Sequence, residues 1–358
     1  MARYISLLSL TWRKPPRESG QTVMVAALLL PILMGMAGLA VDVGGYASDR
    51  RQLQNAADSI ALAAARDLPD ATAATRSAQS WAAKNGVSWS DVTVTVTPQG
   101  NGNANPKVSV DIARPHRFSF MQVLGIRSRS VGAHAAAIKT SPGGLGDLMP
   151  WSVLQSAVQG TPYGQSMIMK YDRNNVTNGN FGPLQFDGTG GSVYQDTIEH
   201  GSTSVVCAQG VPNCTTVSPE CSGSTCPTEP GNMIGPTREG VNERISETGA
   251  SCDTFAEVFS GPVDGKYQLN PQCNPWLAGS KHSERVIIVP IISSLCNGQC
   301  DVTVLGFTLL FLEGYGPDGC TGSDCEIKGR IVNADVTVNA LTGVYDPNSS
   351  IHFTRLSE

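Results

Sequence analysis

Val23 to Val41 reads VMVAALLLPILMGMAGLAV, a run of 19 residues without a charged side chain. A helix of that length rises about 28 Å, close to the roughly 30 Å hydrocarbon core of a bilayer. Pro31 does not veto it, because prolines are tolerated in membrane spans. Arg3, Arg13, Lys14 and Arg17 precede the run against Glu18 alone. By the positive-inside rule residues 1–22 are a cytoplasmic N-terminus, residues 23–41 a transmembrane helix, and the chain beyond residue 41 lies outside the cytoplasm. The expectation is a single-pass protein of the cytoplasmic (inner) membrane. The rival reading is a cleaved leader with Gly38-Leu39-Ala40 as its cleavage site. Secretory apolar regions usually run to about 7–15 residues, so the length here favours a retained anchor. Val304 to Leu312 (VLGFTLLFL) is also apolar but too short to span as a helix, and it reads as a buried strand.

Asp42 stands at the outer end of the run. An ionisable residue there is read either as an interfacial carboxylate among headgroups or as the partner of a cation on another protein's helix. Beyond it Tyr46, Leu53, Ala57, Ile60, Ala64 and Leu68 are spaced 7, 4, 3, 4 and 4 apart, which puts them on one helical face. Residues 42–68 therefore read as a membrane-proximal amphipathic helix, with Pro69 as its stop. Its stripe packs on the chain's own first domain or docks a partner helix, and the first reading is favoured.

The remainder reads as α+β. Residues 71–85 look helical. Asp91–Thr97 and Lys107–Ile112 alternate apolar and polar residues as half-buried strands do, and the turn 99–106 joins them. Phe118–Leu124 reads as a short helix and Ser130–Ile138 as a third strand. These make a small α+β domain over residues 69–140. Ser141-Pro-Gly-Gly-Leu-Gly146 has the composition of a linker. Residues 147–358 read as a β-rich outer domain, with strands expected at Ser166–Tyr171, Gly182–Phe186, Thr254–Phe259, Glu284–Ile292, Asp301–Leu312, Cys325–Val338 and Ser350–Thr354. Two short helices are expected there, one over Ser192–His200 and one starting at Pro236.

All ten cysteines lie after residue 206. An even number packed into an exported segment implies disulfides. Spacing does not fix connectivity. Short local bridges are the first expectation: Cys207–Cys214, Cys221–Cys226, Cys252–Cys273, Cys296–Cys300 and Cys320–Cys325. A bridge closing about six residues contributes only about 2 kcal/mol in the loop-entropy picture, so such bridges stiffen loops more than they stabilise a core. CxxC pairs are absent, which argues against structural zinc.

The chain of 358 residues carries a formal charge of −5, which argues against nucleic acid as a partner. GxSxG, HExxH, Walker A and GxGxxG patterns are absent. Tyr171–Asn180 is rich in Asp and Asn but lacks the acidic spacing of a calcium loop, and Asp187-Gly-Thr-Gly-Gly191 reads as a hairpin loop. The five histidines are scattered. No catalytic, cofactor-binding or metal-binding residue is expected, and neither an enzyme nor a cofactor. Exported hydrolase is the least supported class.

Two segments carry a family resemblance. One is Ser19-Gly-Gln-Thr-Val-Met-Val-Ala-Ala-Leu-Leu-Leu-Pro-Ile-Leu-Met-Gly-Met-Ala-Gly-Leu-Ala-Val-Asp-Val-Gly-Gly45. The other is Arg51-Gln-Leu-Gln-Asn-Ala-Ala-Asp-Ser-Ile-Ala-Leu-Ala-Ala-Ala65. Together they resemble the N-terminal module of the TadE/TadG-like family, proteins of tight-adherence (Flp-type) pilus assembly. Glu229–Gly240, Arg285–Pro290 and Gly306–Leu312 resemble the outer regions of TadG-related proteins. Type IV prepilins carry a Glu five residues after the cleavage glycine, whereas Val25 stands five residues after Gly20. The resemblance therefore implies an uncleaved accessory protein that stays in the membrane, with pilin subunits or other pilus-assembly proteins as partners. The alternative is a surface adhesin or envelope-binding module that shares the anchor.

Overall fold

The computed structural model describes residues 21–100, 103–170, 182–263, 265–295, 298–322, 324–334, 336 and 340–357. Helix α1, Gln21–Ala65, takes in the whole apolar run and the amphipathic segment after it, with Pro31 inside. Side chains of the apolar run are exposed nearly all round. Burial becomes continuous at Leu53 and runs through Ala56, Ala57, Ile60, Ala61, Ala64 and Ala65. The chain leaves the helical path ahead of Pro69, and the carbonyls just past the end are satisfied by cations. Lys139 Nζ donates to Leu68 O at 2.7 Å and Arg66 O at 3.2 Å, and Lys266 Nζ donates to Arg66 O at 2.8 Å. Ammonium groups there also complement the helix dipole.

Helix α2, Ala71–Lys84, starts at Asp70, whose carboxylate accepts from the Thr72 and Ala73 N–H groups at 2.8 and 3.0 Å. Ala74, Ala78 and Ala82 recur every four residues and are fully buried against α1. Strands β1 (Val92–Thr97), β2 (Lys107–Arg117) and β3 (Ser128–Thr140) form an antiparallel meander. The buried side chains Val108, Val110, Ile112, Val131, Ala135 and Ala137 form one core with the alanine faces of both helices.

Strands β4 (Pro142–Leu145) and β5 (Val153–Leu154), helix α3 (Gln155–Gly160) and strand β6 (Ser166–Lys170) come next. After them come helix α4 (Gly191–His200), strands β7 (Val206–Cys207) and β8 (Thr225–Pro227), and helix α5 (Ile234–Ser246). Helix α6 (Phe255–Val258) leads into β9 (Phe259–Val263) and β10 (Lys266–Leu269). The chain closes with β11 (Val286–Ile292), β12 (Asp301–Thr321), β13 (Asp324–Val332), β14 (Ala340–Thr342) and β15 (Phe353–Leu356).

The outer sheet has the order β5-β11-β12-β13-β6, with β8 pairing with β12. Every residue of β11 is buried. Val286 and Ile288 enter one core, whereas Ile287, Val289 and Ile291 enter a second with α4 and α5. A strand covered on both faces reads as an unbroken apolar run, and the sequence VIIVPII has that form. Arg244 of α5 fastens this layer, donating to Ile198 O and Glu199 O at the end of α4 and to Glu284 O before β11.

Four expectations are corrected. Gly182–Phe186 is not a strand, since Leu184 makes only an isolated bridge with Thr228. Segment 141–146 is not a linker: β4 lies within it, is fully buried and pairs with β7 and β14. Its glycines serve close packing, since a Cβ on Gly143 would stand 2.8 Å from the Cα of Gly343. Thr254–Phe259 is not a strand but holds helix α6, started by a Thr254/Glu257 capping box. The C-terminal strand does not join the outer sheet. It pairs with β3, giving the order β1-β2-β3-β15.

Disulfides join Cys207 to Cys214, Cys221 to Cys226, Cys252 to Cys273 and Cys320 to Cys325. The last pair is directly cross-strand between β12 and β13. Cys300 is disulfide-bonded, but Cys296 lies outside the described residues, as do Tyr171–Asn180 and residues 1–20.

Candidate functional site at the end of the apolar half-helix

Gly38, Asp42, Tyr46, Asp49 and Leu53 are spaced 4, 4, 3 and 4 apart on α1 and share one face. This face meets the β2–β3 hairpin in a ladder. The Phe120 ring lies on Gly38, where a Cβ would come within 2.6 Å of its Cγ. One turn on, the Asp42 carboxylate accepts three consecutive backbone N–H groups, from Ser119 at 2.8 Å, Phe120 at 2.8 Å and Met121 at 2.6 Å. Asp42 is 4% exposed. Tyr46 packs beside His116 and Phe118 and donates its hydroxyl proton to Ser130 O at 3.2 Å. Above it Asp49 meets Arg114, and the Nδ1 of His116 lies 3.1 Å from its Oδ2.

Partner numbers fall from 120 to 114 as α1 numbers rise from 38 to 49, so β2 runs antiparallel to the helix. The connection 118–127 therefore hangs back along the apolar half of α1. It holds a 3₁₀ turn, Met121–Leu124, ended by Gly125 at φ 85°. Burial opposes ionisation of Asp49, but hydrogen bonds from Arg114 and His116 and their charge outweigh it and hold its carboxyl below the ordinary range.

The ladder fixes the orientation of the helix relative to the sheet at the point where the apolar run ends. Asp42's carboxylate is held by backbone donors of the same chain. Sequence reasoning placed a short helix over Phe118–Leu124 but did not single out the outward apolar face of this connection. Its signal was the run FSFMQVLGI between Arg114, Arg117 and Arg127, Arg129.

Two other clusters of charge stand apart. Asp196, Glu199 and His200 gather on one largely exposed turn of α4, as helical i, i+4 spacing brings them. A cleft between the end of α1 and the β9–β10 hairpin is lined by Arg66, Asp67, Asp70, Arg76, Lys139 and Lys266. Lys266 lies 3.4 Å from Asp67 across it, so the cleft marks where the two units are tied.

In comparison with known proteins, residues 20–67 match the Tad family, described as Flp pilus-assembly TadE/G-like. Neither a curated protein nor a solved structure matches the chain. The matched residues run from the start of α1 to just past its end and contain every helix residue of the ladder. The helical rod of this chain, apolar half and docked half together, is thus similar to the TadE/G-like module of the Flp pilus-assembly type.

Proposed function

We propose that this chain is a non-enzymatic, single-pass component of a Tad/Flp-type pilus-assembly apparatus, anchored in the cytoplasmic (inner) membrane. Its N-terminus lies in the cytoplasm. Its disulfide-bearing outer unit lies outside and contacts pilin subunits, the assembly platform or the cell envelope. The observation that carries this reading is that the family match falls on α1 itself, which is long and apolar enough to cross a membrane. The four disulfides among the described residues fit an oxidising compartment. Val43, Ala47, Arg50 and Arg51 remain exposed on α1 beyond the apolar run, which leaves that side to a partner.

Deleting the gene and imaging the cells tests the role. Pili and surface attachment are expected to be lost or sharply reduced, and restored by the full chain. A normal number of pili with normal adhesion in the deletion strain overturns it. A photo-crosslinking residue in place of Ala47 is expected to capture a pilin or a platform protein in cells.

A further inference from the structure

The 118–127 connection has the physical features of a membrane wedge. Phe120, Val123, Leu124 and Ile126 are 52%, 85%, 75% and 45% exposed. Single exposed apolar residues are ordinary, but four on one ten-residue connection form a patch that wants cover. Its position says what covers it. Phe120 touches α1 at Gly38, three residues before Val41, which is about 4–5 Å inside the end of the apolar run. Arg117, Arg127 and Arg129 are exposed at its two roots, and no acidic residue occurs between Asp111 and Asp147.

The backbone points the same way. A connection at membrane depth must satisfy its amides internally. Here Asp42 takes three N–H groups at the entrance of the turn. Val123, Gly125 and Ile126 donate theirs to the carbonyls of Phe120, Gln122 and Met121 at 3.0–3.1 Å. The carboxylate at the end of the span thereby gains a reason: it supplies acceptors where water is scarce.

We propose that residues 118–127 insert into the leaflet at which α1 leaves the bilayer, with the apolar side chains among acyl chains and Arg117, Arg127 and Arg129 at the phosphate headgroups. The geometry is that of an interfacial anchor, in which apolar burial and basic residues act together. The occupant of the patch is phospholipid of the same membrane. This rests on the reading of α1 as a span.

The test uses the full chain in bilayer discs of phosphatidylcholine and phosphatidylglycerol. A photo-crosslinking residue replaces Val123, Leu124, Leu39 or Val217, one at a time. Val217 is 65% exposed on the outer unit and serves as the aqueous control. Lipid adducts at Val123 and Leu124 are expected to approach the level at Leu39 and to exceed that at Val217 by at least about tenfold. Adducts at Leu39 with none above control at Val123 and Leu124 overturn the wedge and leave the anchor standing. Absence at all three positions overturns both. Adducts to a second copy of the chain in place of lipid also overturn the wedge, in favour of a protein interface.

Discussion

Asp42 and Asp49 lie on the same face of α1, yet their neighbours set them different tasks. Asp42 accepts three backbone N–H groups and orders a turn, whereas Asp49 meets a guanidinium and an imidazole and ties the helix to β2. Because the folded carboxyl of Asp49 lies below its ordinary value, its contribution is fully present above that value and disappears as pH falls through the folded one. Thermal unfolding from pH 6 down to about pH 2 should therefore show a smaller acid-induced loss for Asp49→Asn than for the parent chain. An identical loss in both would count against the ion pair. Gly38 offers a matched pair with Gly35: a Cβ on Gly38 meets the Phe120 ring, while one on Gly35 meets nothing within 4 Å. Gly38→Leu should speed amide exchange at Ser119–Met121, and Gly35→Leu should leave it unchanged. The placement of Asp42 was legible in the sequence as a carboxylate at the end of a span. Its acceptor role was not, since backbone N–H groups 77–79 positions away carry no side-chain signature.

At the scale of elements, α2 contributes Ala74, Ala78 and Ala82, all at 0% exposure, to a core that also holds Ala57, Ala61 and Ala64 of α1 at 0%. Such packing has no room for a longer side chain. Ala78→Leu should cost about 1–3 kcal/mol in denaturant unfolding, while Ala83→Leu on the exposed face should stay within about 0.5 kcal/mol. The elements that the sequence made legible are those whose burial has a local period: the alternating β1 and β2, the apolar runs of β11 and early β12, and the alanine repeat of α2. The elements it hid obey a non-local rule. Strand β4 looks like a linker because its glycines suit one, but their use is the close approach to Gly343, 200 positions on. Helix α6 was hidden by its four-residue length, although Thr254 and Glu257 carry the spacing of a capping box. The short helix expected over Phe118–Leu124 is a 3₁₀ turn over Met121–Leu124, rich in apolar side chains. These face outward, and no periodicity distinguishes an outward apolar face from an inward one.

Across the whole molecule, the first helix and the last strand serve the same small sheet. Strand β15 pairs with β3 over Phe353–Leu356 and covers its edge, closing a circuit between the two described ends of the chain. Deleting residues 353–358 should bare the β3 edge, lower the unfolding temperature and produce self-association in sedimentation of the detergent-solubilised protein, since uncovered edges recruit other strands. A monodisperse, equally stable truncation would show that β15 is ornamental. Lys139 of β3 and Lys266 of β10 tie these strands to the end of α1. The unbroken course of α1 has a mechanical result. Its 45 residues make a rod about 67 Å long, half of it solid with the outer module. A change in tilt of about 10° pivoting at its N-terminal end swings the far end by about 12 Å. A lever of this kind turns small displacements at its apolar end into large excursions of the head.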